Sequence, residues 1–141
     1  MRNKKKVIGI LMGDPSGIGP ELIAKILSHS ILKRINILIV GEKSIFDKHV
    51  VKAKDKKYIK FISHIDQIEF NKTNKIFFNI SKRKIKYPIG KANKKSGMSV
   101  LTSIDVVVNL YNEKKIDGIN FAPFNKTSLD LAGMKFKDEL H

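Results

Sequence analysis

VIGILMGDPSGIGPELIAKIL, residues 7–27, decides the fold. Five residues from Val7 to Leu11 form a short, almost wholly apolar run, and a glycine-rich turn follows at once. After Pro20 and Glu21, the apolar residues Leu22, Ile23, Ile26 and Leu27 recur at helical spacing. The order is therefore strand, loop, helix. Proline at the first helical position sacrifices no hydrogen bond, and Glu21 in the first turn complements the positive end of the helix dipole. The next run, Asn36-Ile-Leu-Ile-Val40-Gly41, is continuously apolar, as expected of a strand covered on both faces. A helix over about Glu42 to Lys52 completes a strand-helix-strand-helix opening. That alternation implies a parallel sheet with right-handed crossovers.

Working outward, Tyr58 to Ile62 and Lys75 to Ile80 read as strands separated by polar turn material at Asn71 to Asn74, and Ile85 to Tyr87 as a further short one. Beyond Pro88 a loop, IGKANKKSG, leads to a helix over Ser99 to Tyr111, with Val100, Ile104, Val107, Val108 and Tyr111 on one face. Ile116 to Ala122 returns to a strand closed by Pro123, followed by a short helix from Thr127 to Leu131 and a turn at Gly133. The expectation is an open, mainly parallel α/β sheet. In it Val7–Leu11, Ile37–Val40 and Ile116–Phe121 are buried strands and Gly13–Gly19 is a rim loop.

Composition sets the outer bounds. With 141 residues and 42% hydrophobic content, the chain can bury one core. It has no cysteine, which removes disulfides, thiolate metal sites and thiol nucleophiles, and a reducing, cytoplasmic setting is expected. The apolar VIGILM after the basic MRNKKK is shorter than the about 7–15 residues of a secretory core, and nothing approaches the ~20 apolar residues of a membrane span. The net charge is +15, with no acidic residue between Glu69 and Asp105. Such a field attracts anions, including small phosphorylated molecules. Lys, Ile and Asn, whose codons are A/T-rich, supply 25, 21 and 10 residues, so codon bias explains the basicity as well as selection for a basic surface does. No RNA-binding aromatic signature, zinc finger or helix-turn-helix is visible, and nucleic acid is not an expected partner.

Three features bear on chemistry. The Gly13–Pro20 turn allows close approach of backbone to a ligand and offers helix amides to an anion, but its G-x-x-x-G-x-G spacing matches neither the dinucleotide nor the P-loop pattern. A tight turn with no ligand is an equal reading. Ala122-Pro123-Phe124-Asn125-Lys126 stands where a strand ends and a helix begins, the usual rim for ligands in an open parallel sheet. Lys126 there can meet a phosphate as a point charge, or be one more exposed lysine. His29, His49, His64 and His141 show no ligand spacing.

Three blocks then carry a resemblance: MGDPSGIGPELIAKIL (12–27), GKANKKSGMSVLTSID (90–105) and DGINFAPFNKTSLDLAG (117–133). Together, in this order, they resemble the 4-hydroxythreonine-4-phosphate dehydrogenase family over nearly the whole chain. The resemblance implies a three-layer α/β/α sheet of the isocitrate-type dehydrogenase kind, incomplete in this chain, with residues 1–141 as the amino-terminal part of a two-domain enzyme. It implies NAD and a divalent metal (zinc, magnesium or cobalt) as cofactors, a phosphorylated small-molecule substrate and a homodimer, with no membrane partner. The family's metal-binding histidines fall beyond position 141. The substrate-binding positions that carry over are Asp14 in the opening turn, Lys126 in the Ala-Pro-x-x-Lys segment, and His141. The last rests on alignment of Lys137-Asp138-Glu139-Leu140-His141 with a Gly-His-Thr-Glu sequence. Without a gap, Glu139 takes the histidine's place; with a two-residue insertion, His141 does.

The reading that follows is oxidation and decarboxylation of 4-phosphohydroxy-L-threonine in vitamin B6 biosynthesis, in a form expected to be a fragment or truncated and inactive. The alternatives are a dehydrogenase for threonate or erythronate phosphate, or a non-catalytic basic anion-binding module.

Overall fold

A computed structural model describes residues 4–50 and 56–134. Five strands, β1 (Val7–Leu11), β2 (Asn36–Gly41), β3 (Lys60–Ile62), β4 (Lys75–Asn79) and β5 (Gly118–Phe121), form one sheet in the order β3-β4-β2-β1-β5. Every pairing is parallel. Among the described residues the helices α1 (Gly19–Ile26), α2 (Lys43–His49), α3 (Lys94–Asn112) and α4 (Lys126–Leu131) accompany it. The central strand β2 is buried at all six positions, as its unbroken apolar run requires.

The strand period of two divides the core into two layers. On one face Ile10, Ile37, Ile39 and Phe77 pack with Ile23 and Leu27 at α1 and with Ile45 and Phe46 of α2. On the other, Leu11, Leu38, Val40 and Ile76 pack with Val107 and Leu110 of α3. This is the α/β/α sandwich that the resemblance implies. Each fully buried Ile, Leu or Phe contributes about 1.5–3 kcal/mol, so β2 and the residues on either side of it dominate stability. On α1, Glu21 and Lys25 pair at 2.6 Å one turn apart, and Pro20 sits in the first turn.

Four expectations need correction. Ile85–Tyr87 is not a strand: the stretch is irregular, Pro88 has no N–H to give a ladder, and the Tyr87 hydroxyl is tied to Glu42. Helix α3 starts at Lys94 rather than Ser99 because Asn93 caps it, its side chain accepting from Ser96 N–H at 2.8 Å. The helix expected to reach Lys52 is formed over Lys43–His49, with Val50 as its C-cap, and residues 51–55 lie outside those described. Finally, β5 is a strand but not a buried one. It lies at the sheet edge, with Ile119 39% and Phe121 58% exposed.

Candidate functional site

The carboxyl ends of β1 and β5 carry the loops that the sequence marked as a rim. Gly13 adopts φ +84°, and a Cβ there would lie 2.5 Å from the Pro123 carbonyl oxygen, so only glycine fits. That close approach lets Asp14 N–H donate to Pro123 O at 3.1 Å, which locks the first rim loop to the loop after β5. From the third loop, Gly90 N–H donates to Ser16 O at 2.7 Å.

Asp14 is the hub. It is only 3% exposed, accepts from Ser16 N–H at 2.7 Å through Oδ1, and has Ser96 Oγ at 3.5 Å from Oδ2. Asn93 Nδ2 donates to Ser16 Oγ at 2.9 Å, Asn93 N–H donates to Ser128 Oγ at 3.1 Å, and the Ser96 and Ser128 hydroxyls are 3.2 Å apart. One buried carboxylate, three hydroxyls and one amide thus join the amino ends of α1, α3 and α4. Gly97 permits this, because a Cβ there would sit 1.9 Å from the Ser128 carbonyl oxygen. A depression of about 280 Å³ opens above the network, between Asp14, Ile18 and Lys91 on one side and Phe124 and Asn125 on the other.

A second buried carboxylate stands nearby at the end of β2. Glu42 is 2% exposed, and its Oε1 accepts from Ser99 Oγ at 2.6 Å and from the Tyr87 hydroxyl. Burial, then the hydrogen bond to Glu42, holds the Tyr87 hydroxyl well above the usual tyrosine range. This pair fixes the 80–93 connection that delivers Gly90 and Lys91 to the rim.

Of the sequence-derived positions, the structure places Asp14 within the network, bonded to Ser16 N–H and close to Ser96 Oγ, and at the edge of the depression. Lys126 is exposed as the first residue of α4, directly after Asn125, whose side chain caps that helix by accepting from Ser128 N–H at 3.1 Å. His141 lies outside the described residues. Sequence reasoning missed Asn93, Ser96, Ser128 and Glu42. Asn93 alone carried a local signal, an Asn three residues before Ser96 at a helix start. The remaining histidines are scattered: His29 caps a 3-10 turn by accepting from Ile31 N–H at 3.4 Å, His49 ends α2, and His64 follows β3. No group of three His, Cys, Asp or Glu that could hold a metal ion occurs among the described residues.

Residues 33–141 match the sequence profile of a family described as "Pyridoxal phosphate biosynthetic protein PdxA". The chain belongs to this family. A Pasteurella multocida protein, provisionally named a 4-hydroxythreonine-4-phosphate dehydrogenase, is 32% identical over 141 residues, spanning 97% of this chain and 42% of its own length. A Cupriavidus necator protein named D-threonate 4-phosphate dehydrogenase is 30% identical over 131 residues, spanning 92% of this chain and 39% of its own. The crystal structure of a 4-hydroxythreonine-4-phosphate dehydrogenase from Burkholderia phymatum superposes with a TM-score of 0.75 at 25% identity, covering 97% of this chain and 42% of that one. The chain therefore spans about two fifths of the length of these PdxA relatives.

Proposed function

We propose that this PdxA-family chain forms the rim of a dehydrogenase site for a phosphorylated four-carbon hydroxy acid. The observation that carries the reading is the Asp14-centred network, which brings three carboxyl-end loops of a parallel sheet to one preformed edge, where ligands of open α/β sheets bind. In this reading Asp14 is a positioning group. Lys91, which lines the depression, and exposed Lys126, directly after Asn125, supply positive charge for a phosphate. The reaction is transfer of hydride from the substrate hydroxyl carbon to NAD, the hydroxyl proton going to a base, followed by loss of carbon dioxide from the resulting β-keto acid. No group of three His, Cys, Asp or Glu that could hold a metal occurs among the described residues, so the divalent metal is assigned to a part of the family fold outside them.

4-Phosphohydroxy-L-threonine, on the pyridoxal phosphate route, is the first substrate candidate. D-threonate 4-phosphate is the second, favoured by the name of the Cupriavidus necator relative. The test is a titration of the labelled chain with each compound, followed by amide chemical shifts. The expected result is saturable shifts at residues 13–19, 90–93 and 123–126, abolished by Lys126→Ala together with Lys91→Ala. Shifts confined to other surfaces, or none at millimolar ligand, would overturn the reading, and the tighter ligand identifies the substrate.

A further inference from the structure

A broad hollow of about 1490 Å³ lies at the opposite end of the sheet, where β1, β2 and β4 begin at Val7, Asn36 and Lys75. Among the described residues seven lysines line it, with Asp66 as the one acidic residue. The first explanation to test is dipolar: in a parallel α/β sandwich this end collects helix carboxyl termini, which favour cations. Two such ends reach the hollow. Lys75 Nζ donates to the Leu27 carbonyl after α1, and Lys114 and Lys115 follow α3. Each helix end carries about half a negative charge, so dipoles account for about one lysine. Asp66, and Glu113 paired with Lys115 at 2.7 Å, neutralise two more. Among the described residues an excess of about four positive charges remains.

The hollow is also built rather than incidental. Asn74 Nδ2 donates to the carbonyls of Leu32 (2.6 Å) and Ile35 (2.8 Å), the Thr73 hydroxyl to that of Tyr58 (2.5 Å), and Lys5 Nζ to that of Lys33 (3.0 Å). These bonds tie four separate segments into one floor. Lys114 occupies the left-handed region at φ +58°, where a glycine would be unstrained, so a cation is held at the wall at some backbone cost. Beside these charges stands one exposed aromatic ring, Tyr58, which is 65% exposed, whereas Phe70 in the same lining is half-buried against the core. Spread cations beside an exposed ring fit single-strand binding, in which the protein follows backbone charge and stacks bases without reading sequence. No recognition module is required for that mode, so the absence of one in the sequence does not argue against it.

We propose that this lysine-lined hollow binds single-stranded nucleic acid, with Lys33, Lys72 and Lys114 on phosphates and Tyr58 stacked on a base. It is a surface separate from the rim, and its fate is independent of the dehydrogenase reading. The test is fluorescence anisotropy with a labelled single-stranded oligouridylate over a series of salt concentrations. Two triple variants with the same charge change are compared: Lys33→Gln, Lys72→Gln, Lys114→Gln in the hollow, and Lys82→Gln, Lys84→Gln, Lys86→Gln in the exposed run near the other end. Losing three phosphate contacts lowers the slope of log affinity against log salt by about 2 for a single strand. The hollow variant should show that loss and the control little of it. Tyr58→Ala should weaken binding about tenfold at constant slope. Equal losses in the two triples would mean a diffuse field and overturn the site. An unchanged affinity in Tyr58→Ala would overturn the stacking, and no binding at physiological salt would overturn the whole proposal.

Discussion

Replacing Gly97 by alanine tests whether α3 and α4 meet as closely as the rim network requires. The new Cβ would stand 1.9 Å from the Ser128 carbonyl oxygen and 2.9 Å from the Ala132 Cβ, whereas ordinary contact begins near 3.4 Å. Backbone is the obstacle, so no side chain can swing aside, and the helices must part by roughly the missing 1.5 Å. Overpacking of this kind costs about 1–3 kcal/mol. Parting would also stretch Asn93 N–H to Ser128 Oγ, now 3.1 Å, and Ser96 Oγ to Ser128 Oγ, now 3.2 Å, beyond hydrogen-bonding distance. Two neutral bonds lose about 0.5–1.5 kcal/mol each. Against this, Gly→Ala inside a helix gains about 1 kcal/mol. The net expectation is destabilisation by about 3 kcal/mol, a sizeable part of the about 5–15 kcal/mol of an ordinary domain. Urea unfolding followed by circular dichroism measures it, at low ionic strength so that the net charge of +15 keeps the chain dispersed. A Gly97→Ala chain as stable as the parent, or more so, would show that only propensity acts and that the close approach is not there.

Three further outcomes follow from the same structure. The purified 141-residue chain should produce no NADH absorbance from NAD and 4-phosphohydroxy-L-threonine with zinc, manganese or magnesium, since its described residues hold no metal ligand set; metal-dependent turnover would refute this. The chain should associate as salt rises, because the β5 edge exposes Ile119 and Phe121 while the charge that opposes contact is screened beyond about 8 Å at physiological ionic strength; a cooperatively unfolding monomer at both low and physiological salt in sedimentation would contradict it. The Asp117 carboxyl is held below its ordinary range first by the Val7 N–H (2.8 Å) and then by Lys6 (3.0 Å), so its contribution is present above the unfolded value near pH 4 and is lost as pH falls through the lowered folded value. Asp117→Asn should accordingly be less stable than the parent at neutral pH and indistinguishable from it in strong acid; a constant difference across that range would remove the carboxylate from the account.

Much of the fold was legible because apolar runs and turn residues agree locally. Val7–Leu11 matched its strand residue for residue, and 36–41 is buried as its unbroken composition demands. Where the reading slipped, a competing interaction won. Ile85–Tyr87 alternates like a strand, but Tyr87 is claimed by Glu42, a partner 45 residues away that no window of sequence reveals. Residues 118–121 have the composition of a buried strand, yet position in the strand order, not composition, places β5 at the edge. The start of α3 was misplaced for a different reason. Lys94 and Lys95 looked like loop, and the Asn93 cap that recruits them into the helix was read as part of it.

The site divides along the same line. Glycine requirements are local, so the Gly13 turn was visible from its spacing alone, and the β5–α4 junction from a strand ended by proline. The chemistry at these places is not local. The sequence marks Asp14 only through its turn, and of what it meets within the protein, Ser16 N–H on one oxygen is local, while Ser96 Oγ near the other comes from a distant segment brought in by the fold. Ser96 and Ser128 are both wholly buried, and serine in a helix ordinarily reads as solvated surface. Their meaning comes from Gly97, whose missing side chain lets Ser128 reach both Ser96 and the Asn93 amide. The same absence of a side chain that closes the helix pair therefore completes the polar network. A change at Gly97 should disturb the rim and the core together, whereas a change at exposed Lys126 should alter anion binding and leave folding untouched.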